Sequence, residues 1–182
     1  MHLLSVNVGR ARQIAAKSGW TGIYKEPVSG PVHVQLCGLD GDQILDREHH
    51  GGPEQAVYVY TQPDYAFWTG QLGADLLPGT FGENLLFSEL ESSAVLIGQR
   101  FRVGTVVLEV TWPRVPCVTL AARMGDPAFV RKFREARRPG FYARVLQEGA
   151  LQQGDEVTVE DAPQADGRTV VSLYDAFFEK PN

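Results

Sequence analysis

The sequence has little cysteine, no excess of positive charge and no long hydrophobic run. Its two cysteines, Cys37 and Cys117, could form one disulfide at most, far below the density of a secreted cysteine-rich scaffold. Seventeen Lys and Arg residues face 22 Asp and Glu residues, a net charge of −5 that disfavours generic binding of nucleic-acid polymers. No stretch approaches the length of a signal-peptide core or a membrane span. We therefore expect a cytoplasmic protein without a membrane partner.

The chain does have enough apolar sequence to build one core. Of its 182 residues, 43% are hydrophobic and 10% are aromatic, and a chain of this length buries about 70% of the surface of its unfolded form. Short apolar runs alternate with polar residues and are separated by scattered glycines and prolines, a pattern that predicts strands. The clearest of these runs surround Val6, Val59, Leu108 and Val157.

Two helices are predicted between these strands. One begins at Thr61 and runs to about Gly73, because Thr61 and Asp64 form a variant of the capping box. The other begins at Asp126, an N-cap acceptor followed by a proline, and ends at Pro139. Short helices inserted between strands are therefore expected.

A polar stretch of small residues divides the chain near its end. We interpret residues 161–167 as a linker, residues 1–160 as the main domain and residues 168–182 as a short helical tail. So short a tail cannot form a core of its own. It either docks back on the domain or covers a partner.

Cys117 ends a proline-framed segment, WPRVPC at 112–117, directly after a predicted strand. The prolines hold the segment extended, which presents the thiol at the strand end. Arg114 could stabilise the thiolate, the form that binds soft metals or attacks electrophiles, whereas a small buried hydrophobic residue is the alternative. Arg114 and Arg144 lie outside the predicted helix, where a guanidinium is expected to face a carboxylate or phosphate.

Two histidines, His49 and His50, precede Gly51 and Gly52. Zinc is disfavoured, because neighbouring residues of an extended chain point in opposite directions and no Cys or His lies at ligand spacing. The glycines indicate a sharp turn or a close approach to a ligand, beside which a histidine could exchange a proton. A purely structural turn remains open.

The segment GTFGENL at 79–85 joins two glycines to Thr80, Glu83 and Asn84. Such a loop can offer backbone N–H groups and polar side chains to a bound anion or heterocycle. It lacks the lysine of a phosphate-binding loop and the helix context of a dinucleotide site. Nucleophile-elbow and metalloprotease motifs are also missing, so hydrolase activity has little support.

Four motifs in register resemble the MOSC domain, named for the C-terminal domain of molybdenum-cofactor sulfurase. They are HGGP at 50–53, GTFGENL at 79–85, PRVPC at 113–117 and GFYARV at 140–145. The resemblance spans roughly residues 3–160, and both chain ends are more specifically similar to the bacterial subgroup that includes 6-hydroxylaminopurine reductase. It implies a mainly β fold, a β-barrel of the MOSC or pyruvate-kinase-barrel-like type with a few inserted helices.

The resemblance also implies a cofactor, the molybdenum cofactor (Mo-pyranopterin), rather than pyridoxal phosphate. It makes Cys117 the metal ligand and a catalytic residue, with His50 and Glu83 as proton donors. It implies that the cofactor contacts are Gly51, Gly52, Thr80, Gly82, Asn84, Arg114 and Arg144.

The implied activity is reduction of N-hydroxylated bases or related N-oxygenated compounds by a molybdenum-dependent oxidoreductase. The expected partners are a small-molecule substrate, an electron-transfer protein and a second copy of the chain in a homodimer. Fuller relatives continue into a three-helix C-terminal domain, so we expect the tail here to be a shortened version of it. Two alternatives stay open: a non-catalytic carrier of the cofactor or of sulfur as a Cys117 persulfide, and a module that stacks heterocycles on aromatic residues.

Overall fold

A computed structural model describes residues 1–16, 18–45, 51–161 and 167–179. Within them the chain forms thirteen strands and four α-helices and is mainly β. The strands are β1 (Leu3–Gly9), β2 (Arg12–Gln13), β3 (Trp20–Thr21), β4 (Lys25–Pro27), β5 (Val32–Gln35), β6 (Gly38–Leu39), β7 (Val57–Thr61), β8 (Leu85–Phe87), β9 (Arg100–Val103), β10 (Val106–Pro113), β11 (Phe141–Gln147), β12 (Gly149–Leu151) and β13 (Val157–Glu160). The helices are α1 (Gln62–Leu72), α2 (Val118–Met124), α3 (Phe129–Ala136) and α4 (Val170–Glu179).

Eight strands form one large mixed sheet. Their order is β13, β9, β10, β11, β7, β8, β1 and β4. All neighbours are antiparallel except β7 and β8, which α1 connects as a crossover, the kind of connection that parallel strands require. Two smaller ladders join β12, β5 and β6, and β2 with β3.

A closed barrel is not found among the described residues. The edge strands β13 and β4 do not pair with each other. The start of β1 does approach β13, because the Leu3 N–H donates to the Asp155 carbonyl at 2.9 Å and the Val157 N–H donates to the Met1 carbonyl at 2.8 Å. These bonds join single residues and form no continuous ladder. The mainly β class with inserted helices is confirmed, and the barrel detail is not.

The alternating apolar runs form strands, as predicted for β1, β7, β10 and β13. A strand places successive side chains on opposite faces, so such a run buries one face of the sheet. The side chains on one face of these strands belong to a core with three aromatic rings; its members include Leu3, Val6, Val59, Leu108, Val157, Phe87, Phe101 and Phe141.

A second core, rich in aromatic residues, lies between the sheet and helices α1 to α3. Trp68 of α1 and Phe133 of α3 stack at 5.7 Å between ring centroids, and the Trp68 indole N–H donates to the Tyr60 hydroxyl at 2.7 Å. Tyr58 and Tyr142 belong to the same cluster. This core therefore holds three helices against one face of the sheet.

The helix from Thr61 is confirmed, with Thr61 as N-cap and a left-handed Gly73 ending α1. The predicted start of the other helix at Asp126 is wrong, because α3 begins at Phe129. Asp126 instead accepts a hydrogen bond from the Ala128 N–H at 2.8 Å and shapes the turn before the helix. The seven-residue helix α2 was not predicted, since it is too short to show a helical period.

The C-terminal helix α4 docks back on the domain. Val170 and Tyr174 are fully buried, and the Val170 N–H donates to the Val95 carbonyl at 2.7 Å. Arg137, after α3, pairs with Asp175 of α4. The helical tail is thus packed, while the predicted domain and linker boundaries stay predictions. Among all the described residues, no helix combines the length and the apolar character needed to cross a membrane.

Candidate active site

A cleft of about 740 Å³, its open mouth included, lies at one side of the aromatic core. Its walls come from the stretch through β3 and β4, the loop after β6, the start of β7, the loop before β8, the segment between β10 and α2, and β11. This volume is in the range of small-molecule sites. Residues of all four sequence motifs meet here although the motifs are far apart in the chain.

Cys117 lines this cleft at the beginning of α2. Strand β10 ends at Pro113, paired with Phe141, and Cys117 is the extended N-cap residue of the helix. Pro116 keeps the preceding backbone out of a helical conformation. Cys117 is partly exposed, as expected for a thiol at a strand end, and is not sealed in the core.

Arg114 is a buried cation in the same wall, with only 4% of its surface exposed. Its guanidinium carbon lies 5.4 Å from the ring centroid of Tyr58 and 5.7 Å from that of Phe133. Its Nη1 atom is buried without a hydrogen-bond partner. Burial works against the charge, yet the nearby ionisable groups of Tyr58, Tyr142 and Cys117 leave the pKa of Arg114 above its usual value. Such a group attracts an anion.

A polar network reaches the lining through Lys25 and Asn84. Lys25 donates to both carboxylate oxygens of Asp42, and Asp42 also accepts from the Gly9 N–H at 2.7 Å and from the Asn84 amide at 2.9 Å. Burial lowers the pKa of Lys25, an effect that Asp42 partly offsets. Asn84 accepts from the Tyr58 N–H at 3.1 Å, so its amide is occupied by protein contacts.

Glu83 holds the loop 79–85 from behind. Its fully buried carboxylate accepts from the Tyr65 hydroxyl and the Gly79 N–H, both at 2.5 Å, and from the Phe81 N–H at 3.2 Å. Burial raises the pKa of Glu83 to about 7 in spite of these donors. Glu83 does not line the cleft.

Two glycines let this loop pack directly on the β4 side of the cleft. Gly79 and Gly82 have φ angles of 86° and 81°, in the left-handed region. A Cβ on Gly79 would lie 2.2 Å from the Lys25 carbonyl oxygen, and a Cβ on Gly82 would lie 2.8 Å from the Ile23 side chain. Only glycine fits at these positions.

The structure brings about half of the predicted site residues to the cleft. Those that line it are Gly51, Gly82, Asn84, Arg114 and Cys117. Those that do not are Gly52, Thr80, Glu83 and Arg144. His50 lies outside the described residues.

Arg144 is engaged elsewhere. Its Nε donates to Glu109 and its Nη1 to Glu54, both at 3.0 Å. The Thr80 hydroxyl donates to the Leu77 carbonyl at 2.6 Å, a contact within its own turn. The assignments of Arg144 and Thr80 to the cofactor therefore stay predictions that the cleft geometry does not support.

Three further residues of the lining were not singled out from the sequence as site members: Trp20, Lys25 and Gln55. Neither was Asp42, which bonds Lys25 and Asn84 of the lining. Lys25 precedes Asp42 by 17 positions, and Asn84 follows Asp42 by 42, so only folding joins this network. Lys25 is a single lysine at the start of β4, and no sequence motif around it predicts a functional role. The sequence shows several acidic residues around Asp42, but it does not indicate that Lys25 is the residue that pairs with Asp42.

The described residues contain no group of three or more His, Cys, Asp or Glu side chains that could hold a metal ion. Cys117 is the cysteine that the cleft offers.

The chain is mainly β, and Cys117 and the buried Arg114 both line its cleft. Comparison gives the class directly: residues 46–158 match the MOSC domain. The chain belongs to the MOSC domain family.

Three relatives show how far the likeness extends. The chain is 38% identical to the protein YflK of Bacillus subtilis strain 168, over 84% of this chain and 70% of YflK. It is 34% identical to a protein of Gibberella moniliformis named a reductase, over 88% of this chain but only 29% of that longer protein. The crystal structure of YiiM from Geobacillus stearothermophilus superimposes with a TM-score of 0.79 at 26% identity, over 98% of this chain and 84% of YiiM.

Proposed function

We propose that this protein is a molybdenum-dependent reductase of N-hydroxylated bases or related N-oxygenated compounds. The observation that carries the proposal is the buried, partnerless Nη1 atom of Arg114 in the cleft that Cys117 also lines. Membership of the MOSC family and the relative named a reductase support it.

The residues of the cleft fit a molybdenum–pyranopterin cofactor. The free donor of Arg114 suits an anion such as the cofactor phosphate, because a charge-assisted hydrogen bond would satisfy both groups. The thiolate of Cys117 suits a soft metal. Gly51 and Gly82 line the cleft, where the side chains of Ile44 and Ile23 pack directly against them.

In this proposal Cys117 binds molybdenum through its sulfur, and Arg114 binds the phosphate. When bound, the cofactor supplies the two-electron reduction that converts an N–OH group into an amine and water. Asn84, tied to Asp42 and Tyr58, keeps the loop 79–85 in position rather than offering a free donor. An electron-transfer protein is the proposed source of electrons.

The mouth of the cleft offers apolar surface to a substrate ring. Trp20 and Leu45 line it and remain 53% and 45% exposed. A large exposed aromatic side chain beside a cleft is a natural platform for a flat heterocycle. Tyr58 and Tyr142 add two further rings inside.

Two groups can hold protons near neutral pH. Glu83, with a pKa of about 7, holds one behind the loop 79–85, and His50 is the other donor that the resemblance implies. Lys25 also lines the cleft, and its ammonium group donates to the Asp42 carboxylate. The two protons that the reduction consumes would come from His50 and Glu83, and a proton from Glu83 would have to pass through other groups because Glu83 does not line the cleft.

The proposal is tested with protein purified from cells grown with ample molybdate, because recombinant protein can lack the cofactor. Molybdenum content is measured per chain, and dithionite-driven conversion of 6-hydroxylaminopurine to adenine is followed. Cys117→Ser should lose both the metal and the turnover. Cys37→Ser, at an exposed position away from the cleft, is the matched control and should keep both. Unchanged metal content and turnover in Cys117→Ser would contradict the proposal.

The same samples distinguish the carrier functions. Molybdenum bound through Cys117 without any turnover would identify a cofactor carrier. A persulfide on Cys117, seen by mass spectrometry in protein without molybdenum, would identify a sulfur carrier.

A further inference from the structure

Two residues of the cleft lining carry buried polar atoms of opposite type that have no hydrogen-bond partner. Within the described part of the chain, four buried side-chain atoms have no hydrogen-bond partner: Asn7 Nδ2, Gln55 Oε1, Arg114 Nη1 and Arg123 Nε. Gln55 and Arg114 line the cleft, whereas Asn7 and Arg123 do not. The wall thus has one unused acceptor, Gln55 Oε1, in addition to the unused donor already assigned to an anion.

The backbone of Gln55 is held firmly in place. Gln55 ends a 3-10 turn, Pro53–Gln55, and its N–H donates to the Gly52 carbonyl at 3.1 Å. The carbonyl of Glu54 accepts from the Thr111 hydroxyl at 2.5 Å, and the Glu54 carboxylate pairs with Arg144 at 3.0 Å. An anchored turn keeps the Gln55 amide at the cleft.

A buried acceptor without a donor destabilises the folded protein, and native structures rarely keep one without a reason. Ligand binding supplies such a reason, because a bound N–H group would satisfy the acceptor. Sites built around a specific hydrogen bond also discriminate strongly against analogues that lack the matching group.

We propose that Gln55 is a specificity-determining residue whose Oε1 accepts a hydrogen bond from an N–H group on a heterocycle bound in the cleft. The inference deepens the proposed function and rests on it for the kind of ligand. The N–H group belongs either to the substrate base or to the pterin ring of the cofactor, and the experiment separates these two sources.

The experiment uses Gln55→Leu and the more nearly isosteric Gln55→Met, with Gln152→Leu, exposed and outside the cleft, as control. Thermal unfolding comes first. Removing an unsatisfied acceptor should leave the melting temperature of both Gln55 variants equal to or above that of the wild type. A marked fall in both variants would overturn the inference, because Gln55 would then have a structural partner.

Binding is then measured by calorimetry with adenine and N6,N6-dimethyladenine, which lacks the exocyclic N–H groups. If the substrate base is the source, Gln55→Leu weakens adenine binding about tenfold, the size of one hydrogen bond. If the exocyclic amino group makes the contact, the same variant should leave the affinity for the dimethyl analogue unchanged. An equal loss for both ligands would place the contact on the ring N–H, which both retain. The control should bind both as the wild type does.

If the pterin is the source, Gln55→Leu instead lowers the molybdenum content per chain and leaves adenine binding to cofactor-free protein unchanged. Equal metal content and equal adenine affinity in wild type and Gln55 variants would overturn the inference. Failure of the proposed function is a separate result. Wild-type protein that binds adenine through Gln55 but does not reduce 6-hydroxylaminopurine would contradict the proposed reaction and still support the Gln55 contact.

Discussion

Lys25 and Asp42 form an ion pair inside the wall of the cleft, with 8% and 2% of their side chains exposed. The pair connects β4 to the loop after β6, and the Asn84 amide adds the loop before β8. Three separate segments of the cleft are therefore held through one carboxylate. A buried pair of this kind depends on both partners, since either charge alone is costly to bury.

Asp42→Ala leaves the Lys25 ammonium buried without its partner. We expect the free energy of unfolding, measured with urea at pH 7, to fall by about 3–5 kcal/mol. Glu26→Ala removes the exposed Arg12–Glu26 pair and serves as control, with an expected change below about 1 kcal/mol. Equal losses in the two variants would show that the Lys25–Asp42 pair adds no more than a surface pair.

Arg114→Met removes a buried cation that no carboxylate balances among the described residues. We expect the free energy of unfolding of the cofactor-free protein to change by no more than about 1 kcal/mol, because replacing a buried charge with an apolar side chain is often neutral. Molybdenum content per chain should fall sharply. Arg131→Met, exposed on α3, should leave the metal content unchanged. Full metal content in Arg114→Met would refute the phosphate contact.

The raised pKa of Glu83 should make the free energy of unfolding depend on pH. Its pKa is about 7 in the folded protein against 4.5 as the ordinary value, so the folded state binds this proton more tightly than the unfolded state. The contribution of Glu83 to the free energy of unfolding is therefore greatest below pH 4.5 and is lost as the pH rises through 7, by up to about 3 kcal/mol.

Glu83→Gln should flatten this decline, because the amide does not titrate. It should also destabilise the protein most at low pH, where its NH2 group replaces an acceptor facing the Phe81 N–H. Urea unfolding at pH 5 and pH 8 measures both effects, with Glu26→Gln as the exposed control. A slope in Glu83→Gln as steep as in the wild type would assign the pH dependence to another group.

Tyr174 tests whether the C-terminal helix belongs to the folded unit. Tyr174 is fully buried, whereas Phe177 on the same helix is 44% exposed. We expect Tyr174→Ala to lower the free energy of unfolding by about 3–5 kcal/mol and Phe177→Ala by less than about 1 kcal/mol. Small, equal effects in chemical unfolding would mean that α4 contributes little to the domain.

Local features were predicted well where their causes are local. Thr61 and Gly73 cap α1 through contacts within a few residues, so the sequence indicated both ends of this helix. Asp126 offered the same kind of signal, yet its carboxylate bonded the Ala128 N–H in a turn and the helix began three residues later. An N-cap residue also forms turns, so its presence alone does not place a helix start.

In the candidate site too, the predictions that rest on local sequence succeeded better than those that depend on distant residues. Cys117 and Arg114 lie in one proline-framed segment, and the partial exposure of Cys117 at the strand end followed from local backbone restriction, whereas Arg114 is buried. Arg144 carried a similar signal but pairs with Glu109 and Glu54, acids that are distant in sequence. Which of the two arginines remains without a carboxylate is a property of the tertiary structure.

By itself, the sequence determined the mainly β class, the helix at α1, the MOSC motifs and the presentation of Cys117, because strand alternation, caps and prolines act over a few residues. Only the tertiary structure decided that Lys25 meets Asp42, that Glu83 turns away from the cleft and that Gln55 faces it without a donor. Those outcomes depend on burial and pairing between segments far apart in the chain, which no local pattern encodes.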